Sequence, residues 1–166
     1  KMLPGCDIEQ AKKAYHAHHK VHMKTRTRLY PHAREFLKKL HLLGISMGVC
    51  SNKPVRFTTE LIEHLGINEY FKVVLGPEDV PNPKPAPDML IEAAKRLQIN
   101  HNEVVYVGDM DVDIKASVAA GMEVWIVRHD DSSFKISENI ATENIYDSFL
   151  EIEKKKSQVF VAHDRS

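Results

Sequence analysis

The chain lacks a net charge: its 23 Lys and Arg residues are matched by 23 Asp and Glu residues. No global field therefore draws it toward nucleic acid or an anionic membrane surface. It also lacks a long apolar run. Nothing in it approaches the roughly 20 consecutive residues of a membrane span, and no signal-peptide pattern opens it. Cysteine is scarce, with only Cys6 in a polar stretch and Cys50 at the end of an apolar one. Two isolated cysteines make neither a disulfide framework nor a metal-type spacing. A reducing, cytosolic setting is expected, with Cys50 as a small core residue. Internal repeats and low-complexity tracts are absent as well.

What is present is an ordinary globular composition. The 166 residues are 43% hydrophobic and 28% charged, enough for one domain with a real core. Residues 7–28 read as one polar helix, with Ile8, Ala11, Tyr15, His18 and His22 at spacings of three and four. From Tyr30 onward the pattern is regular. Pro31 opens a helix carrying Ala33, Phe36, Leu37, Leu40 and Leu43 on one face, which Gly44 stops. Ile45–Cys50 is a short strand, Pro54 starts a helix running to Leu65, and Lys72–Leu75 is a second strand. The proline-rich stretch Gly76–Pro87 must be a loop. A helix over Asp88–Leu97, a strand over Val104–Val107, a helix over Ile114–Ala120 and a strand over Val124–Val127 follow. Residues 129–144 read as loop, Tyr146–Lys156 as a last helix, and Gln158–Ala162 as a short apolar piece.

Strands alternating with helices of about ten residues predict βαβ units. The expected fold is α/β, a Rossmann-like parallel sheet with helices on both faces. Ligands in such sheets bind at the carboxyl ends of the strands, so the residues just after each strand carry the functional information. After the first strand come Ser51, Asn52 and Lys53, a hydroxyl and an amide beside free helix N–H groups. They suit an anion, although a simple helix cap would use the same residues. After the second strand, Asn82-Pro83-Lys84-Pro85-Ala86-Pro87 holds a lysine between prolines that restrict its backbone. A fixed ammonium there can neutralise a transferring phosphoryl group, while a solvated loop lysine is the plain alternative. After the third strand, Asp109, Asp111 and Asp113 crowd together. Carboxylates at such range repel unless a cation intervenes, and hard oxygen ligands suit Mg²⁺. Acids at a helix start also suit the macrodipole, but that does not require Asp109. A hydroxyl, a lysine and acids converging on neighbouring strand ends are the surroundings that phosphoryl transfer needs.

These segments resemble the haloacid-dehalogenase superfamily, in particular its phosphoglycolate-phosphatase-like members. Val49-Cys50-Ser51-Asn52-Lys53 resembles the second motif of that family, Asn82 to Asp88 the third, and Val105-Tyr106-Val107-Gly108-Asp109 through Asp113-Ile114 and Ala119-Ala120-Gly121-Met122 the fourth. The likeness covers residues 30–127 and, more weakly, 128–156. It implies a Mg²⁺-dependent phosphatase acting on a small phosphorylated metabolite. Ser51, with Asn52 beside it, would bind the phosphoryl group. Lys84 would balance charge. Asp109 would bind the metal, and Asp113 would support the metal site or position Lys84.

The family's nucleophile signature, Asp-x-Asp-Gly-Thr on an N-terminal strand, does not occur in this sequence. The only Asp-x-Asp pairs are Asp109/Asp111 and Asp111/Asp113, inside the fourth motif. The resemblance divides the chain into a remnant of a helical cap (residues 1–28), a core (29–156) and a C-terminal tail or extra strand (157–166). The expectation is a truncated core, consistent with Lys1 standing where an intact product would have Met, and inactive or nearly so alone. A non-catalytic binding or interaction module is the rival reading. A third is that Val159-Phe160-Val161-Ala162-His163-Asp164 fills the place of the missing strand and puts Asp164 near the nucleophile position. An exposed gap would also invite homodimerisation or strand exchange. Elsewhere, His16, His18, His19 and His22 read as a solvated helix face, Phe36 and Trp125 as core, and Lys154, Lys155 and Lys156 as a helix end suited to its dipole.

Overall fold

The computed structural model describes residues 27–128 and 142–157. The helix expected over residues 7–28, the histidine cluster on it and the terminal apolar segment therefore lie outside the described residues, apart from Thr27 and Arg28, which are not helical. The described elements are α1 (Ala33–Leu42), β1 (Met47–Cys50), α2 (Val55–His64), β2 (Phe71–Leu75), α3 (Asp88–Leu97), β3 (Val105–Gly108), α4 (Asp111–Ala120), β4 (Glu123–Val127), β5 (Ile145–Tyr146) and α5 (Phe149–Lys155). None of the helices among the described residues is long and apolar enough to cross a membrane.

All strand pairings among the described residues are parallel, as βαβ connections require. β1 pairs with β2, aligning Cys50 with Leu75. β3 pairs with β4, aligning Gly108 with Ile126, and β4 pairs with β5. These form a two-stranded sheet and a three-stranded sheet rather than one continuous sheet among the described residues.

Side-chain alternation along the strands sorts the core into two layers. On one face, α3 and α4 contribute Met89, Leu90, Ala93, Ala94, Ala116 and Ala120, which pack with Leu75, Cys50 and Val73 from one sheet and Tyr106 from the other. On the opposite face, Phe36 of α1 packs with Trp125, Val127, Tyr146 and Ile152. Phe36 and Trp125 are core, as their pattern predicts. Met47, Ile62, Ile67 and Tyr70 make a further cluster there, and Leu40 and Ile45 touch both groups. α1 thus ties the two sheets together by apolar burial, worth about 1.5–3 kcal/mol for each large side chain fully removed from water.

The elements agree with the sequence pattern, with two corrections. α4 begins at Asp111, three residues before Ile114, so Asp111 and Asp113 sit in its first turn. The last helix does not begin at Tyr146. Tyr146 is fully buried in β5, and α5 starts after Ser148, whose hydroxyl accepts a hydrogen bond from the Glu151 amide. A serine followed three residues later by glutamate is a helix-start signature. It outweighs the apolar spacing that placed Tyr146 in the helix. Gly44, at φ +73°, ends α1 in the left-handed conformation expected of it.

Candidate active site

Three segments meet at the carboxyl ends of β1 and β3. β1 ends at Cys50 and hands over to Ser51 and Asn52. Ser51 Oγ accepts from the Lys53 amide at 3.1 Å, a bond that leaves its own O–H proton as a donor. The Asn52 side-chain amide donates to the Lys84 backbone carbonyl at 2.8 Å. Asn52 therefore clamps the lysine loop onto the end of β1, a contact that sequence spacing could not reveal.

Lys84 is buried, with 9% of its surface exposed. Its alternative as a solvated loop lysine is excluded by that burial. The ammonium donates to Cys50 O at 2.9 Å, to Tyr106 Oη at 2.7 Å and to Asp113 Oδ1 at 2.7 Å. A buried cation is stable only when paired and fully hydrogen-bonded, and this one is both. Asp113 is equally committed. Its Oδ2 accepts from the backbone amides of Asp109 at 3.2 Å and Met110 at 3.1 Å, so one carboxylate fixes both the loop after β3 and the lysine.

The approach of that carboxylate requires Gly108. A Cβ at this position would stand 2.5 Å from Asp113 Cβ and 2.8 Å from its Oδ2. The glycine before Asp109 serves close contact between strand end and helix start.

Two residues of this cluster escaped the sequence reading. In the sequence Tyr106 reads only as part of a strand. In the structure its hydroxyl lies 3.1 Å from Cys50 O and 3.3 Å from Asp113 Oδ1. Burial, reinforced by the Asp113 charge, raises its pKa far above the ordinary phenol value, so it acts as a neutral hydroxyl. The available signal was alternation: Tyr106 points to the face that α3 and α4 cover, where a phenol needs a partner. The second is the backbone carbonyl of Cys50, for which no sequence signal exists. The Cys50 thiol lies on the same buried side, and burial pushes its pKa up to about 11. It is an inert core thiol.

Asp109 is exposed at the end of β3. Its negative charge adds to burial in raising the pKa of Tyr30, burial being the larger cause. Among the described residues no three His, Cys, Asp or Glu side chains group as a complete metal cage. The donor set still fits Mg²⁺, which is commonly held by one or two carboxylates together with phosphate and water. Asp109 offers such a hard oxygen at the strand end. Asp111 instead pairs with Lys115 along α4 at 2.7 Å. Of the two roles foreseen for Asp113, the hydrogen bonds supply the positioning of Lys84.

An open cavity of about 460 Å³ lies elsewhere, lined by residues including Arg28, His32, Arg34 and His64. It contains none of Ser51, Asn52, Lys84, Asp109 and Asp113.

The described residues thus form a parallel α/β core that brings a hydroxyl, a buried lysine and two carboxylates to its strand ends. The chain belongs to the haloacid dehalogenase-like hydrolase family, whose model matches residues 3–127. It is 39% identical over 129 residues to the phosphoglycolate phosphatase of Salmonella paratyphi A, covering 76% of this chain and 50% of that protein. It is 43% identical over 95 residues to the phosphoglycolate phosphatase of Escherichia coli K12, covering 57% of this chain and 38% of that protein. The chain thus spans about half the length, or less, of these curated relatives. A crystal structure described as a predicted phosphoglycolate phosphatase from Haemophilus somnus superposes with a TM-score of 0.80 at 25% identity, over 93% of this chain and 68% of that one. The fold is also that of a putative β-phosphoglucomutase from Thermotoga maritima, with a TM-score of 0.78 at 23% identity over 93% of this chain and 71% of that one.

Proposed function

We propose that this chain is the phosphate- and metal-holding core of a Mg²⁺-dependent phosphomonoesterase acting on a small phosphorylated metabolite such as phosphoglycolate. The observation that carries the proposal is the Lys84 ammonium, buried and held 2.7 Å from Asp113 at the strand ends where Ser51 emerges. A buried, fixed cation there would stabilise charge that develops on a transferring phosphoryl group. Ser51 O–H would donate to a phosphoryl oxygen. Asn52 keeps the lysine loop in place and lies beside the same group. Asp109 would hold Mg²⁺, which when bound supplies further positive charge beside the phosphoryl oxygens. The substrate class follows from the named relatives, and the setting in this reading is the cytosol, without nucleic-acid or membrane partners. Self-association through the open sheet edges belongs to the same reading.

The second reading, a binding module without turnover, rests on a sequence fact: no Asp-x-Asp-Gly-Thr occurs in these 166 residues. Hydrolysis of p-nitrophenyl phosphate and of phosphoglycolate, with and without Mg²⁺, separates the two readings. This chain alone is expected to bind orthophosphate with Mg²⁺ yet turn over slowly or not at all. Joined to a strand carrying the signature, it is expected to gain Mg²⁺-dependent activity, lost again in Lys84→Met. Strong activity of the chain by itself would refute the view that a needed carboxylate lies outside it. Failure to bind orthophosphate would refute the phosphatase reading.

A further inference from the structure

Lys84 has three ammonium protons, and all three are taken inside the protein, by Cys50 O, Tyr106 Oη and Asp113 Oδ1. An ammonium in that state has no proton left for a phosphoryl oxygen. If Lys84 serves as proposed above, on which this inference rests, one of the three bonds must be given up. Leaving Asp113 would separate a buried ion pair, the most costly choice. Leaving Tyr106 would break the shortest contact to a neutral group. Leaving Cys50 O is the cheapest, provided that the carbonyl keeps a donor.

Tyr106 provides one. Its hydroxyl carries a single proton and stands within reach of two acceptors, Cys50 O at 3.1 Å and Asp113 Oδ1 at 3.3 Å. We propose that Tyr106 is a positioning residue: its hydroxyl proton turns to Cys50 O as Lys84 lets go of that carbonyl and reaches an incoming phosphoryl oxygen. Before the exchange Lys84 donates to Cys50 O, Tyr106 and Asp113, while Tyr106 donates to Asp113. After it Lys84 donates to the phosphoryl oxygen, Tyr106 and Asp113, while Tyr106 donates to Cys50 O. No buried group loses its last donor, and the ion pair stays intact throughout. The ring of Tyr106 also stays in place, with the ammonium 5.3 Å from its centroid, so the exchange needs only rotation of one hydroxyl and a small shift of one amine.

The test measures orthophosphate affinity, in the presence of Mg²⁺, for the wild type, Tyr106→Phe, Lys84→Met and the double variant. Tyr106→Phe removes one oxygen and keeps the ring. Should it fail to fold, Tyr106→Met, which also lacks the hydroxyl and fills the space with a flexible chain, takes its place. Tyr106→Phe also removes the acceptor of one Lys84 proton and frees that proton for phosphate, so the expected result is a rise in affinity of about 5-fold, in line with one hydrogen bond. In the Lys84→Met background the same change is expected to alter affinity less than about 2-fold, because the effect runs through Lys84. A role in packing alone would weaken binding equally in both backgrounds, and that outcome would overturn the inference while leaving the phosphatase reading standing. Unchanged affinity in Tyr106→Phe would overturn it too. A wild type that binds no orthophosphate would overturn both.

Discussion

Replacing Asp113 by Asn should destabilise the fold more than removing its lysine partner does. The Lys84 and Asp113 side chains are 8% and 6% exposed and 2.7 Å apart. In Asp113→Asn the ammonium keeps only neutral acceptors, Cys50 O, Tyr106 Oη and the new amide oxygen, and loses its counter-charge. A buried charge stripped of its counter-ion costs about 3–5 kcal/mol. The lower figure, about 3 kcal/mol, applies because neutral acceptors remain. It is a substantial part of the roughly 5–15 kcal/mol that holds a typical domain together, and it corresponds to a fall of about 6–12 °C in Tm for a chain of this size. In Lys84→Met the carboxylate keeps two backbone amides and the Tyr106 hydroxyl. Charge-assisted bonds of that kind offset much of its burial, so the loss should be only about 1–2 kcal/mol. The double variant leaves no unpaired charge and should be more stable than the sum of the singles by about 1–2 kcal/mol. Urea unfolding followed by circular dichroism measures all four proteins. If Asp113→Asn changes stability by less than about 0.5 kcal/mol, or proves milder than Lys84→Met, the argument from an uncompensated buried cation fails.

Gly108→Ala puts a Cβ 2.5 Å from Asp113 Cβ; the helix start must shift, and a loss of about 2–3 kcal/mol is expected by the same urea assay, with a loss under about 0.5 kcal/mol counting against the close approach. The Cys50 thiol, with its pKa pushed up to about 11 by burial, should be alkylated by iodoacetamide at pH 8 about 100-fold more slowly than an unperturbed thiol of pKa 9, before any steric protection. Peptide mass spectrometry reads that site alone, and a rate equal to that of a free thiol would contradict its burial.

Much of this fold was legible because hydrophobic period and punctuation agree along the chain. α1, α2 and α3 begin and end within about two residues of where their apolar faces and their glycines or prolines place them. Tyr146 was misplaced because apolar spacing over a short segment fits a strand and a helix equally well. Only the Ser148 cap decides between them. The convergence of Ser51, Lys84, Asp109 and Asp113 was legible for another reason: strand ends in parallel sheets converge, so residue types just after each strand can be read as neighbours. Their roles toward substrate and metal remain part of the proposed function. The division of labour between them was less legible. That Asn52 holds a loop carbonyl, and that Asp113 spends its four hydrogen bonds on Lys84, Tyr106 and two amides, depends on distances no spacing encodes.

The same distances bear on how the two sheets are joined. Apolar contact through Leu40 and Ile45 ties them on one face. On the other, at the strand ends, the Cys50 carbonyl of one sheet meets the Tyr106 hydroxyl of the other, with the Lys84 ammonium bonded to both. Apolar contacts tolerate small slides between layers, whereas hydrogen bonds of 2.7–3.1 Å weaken steeply with misalignment. The polar junction therefore sets the distance between the end of β1, which carries Ser51, and the end of β3, which carries Asp109. In the proposed function a phosphoryl group would need that distance fixed, because an error of about 1 Å in such a site costs on the order of 100-fold in rate. The groups that bind the Lys84 ammonium are thus the groups that hold the ends of β1 and β3 in register.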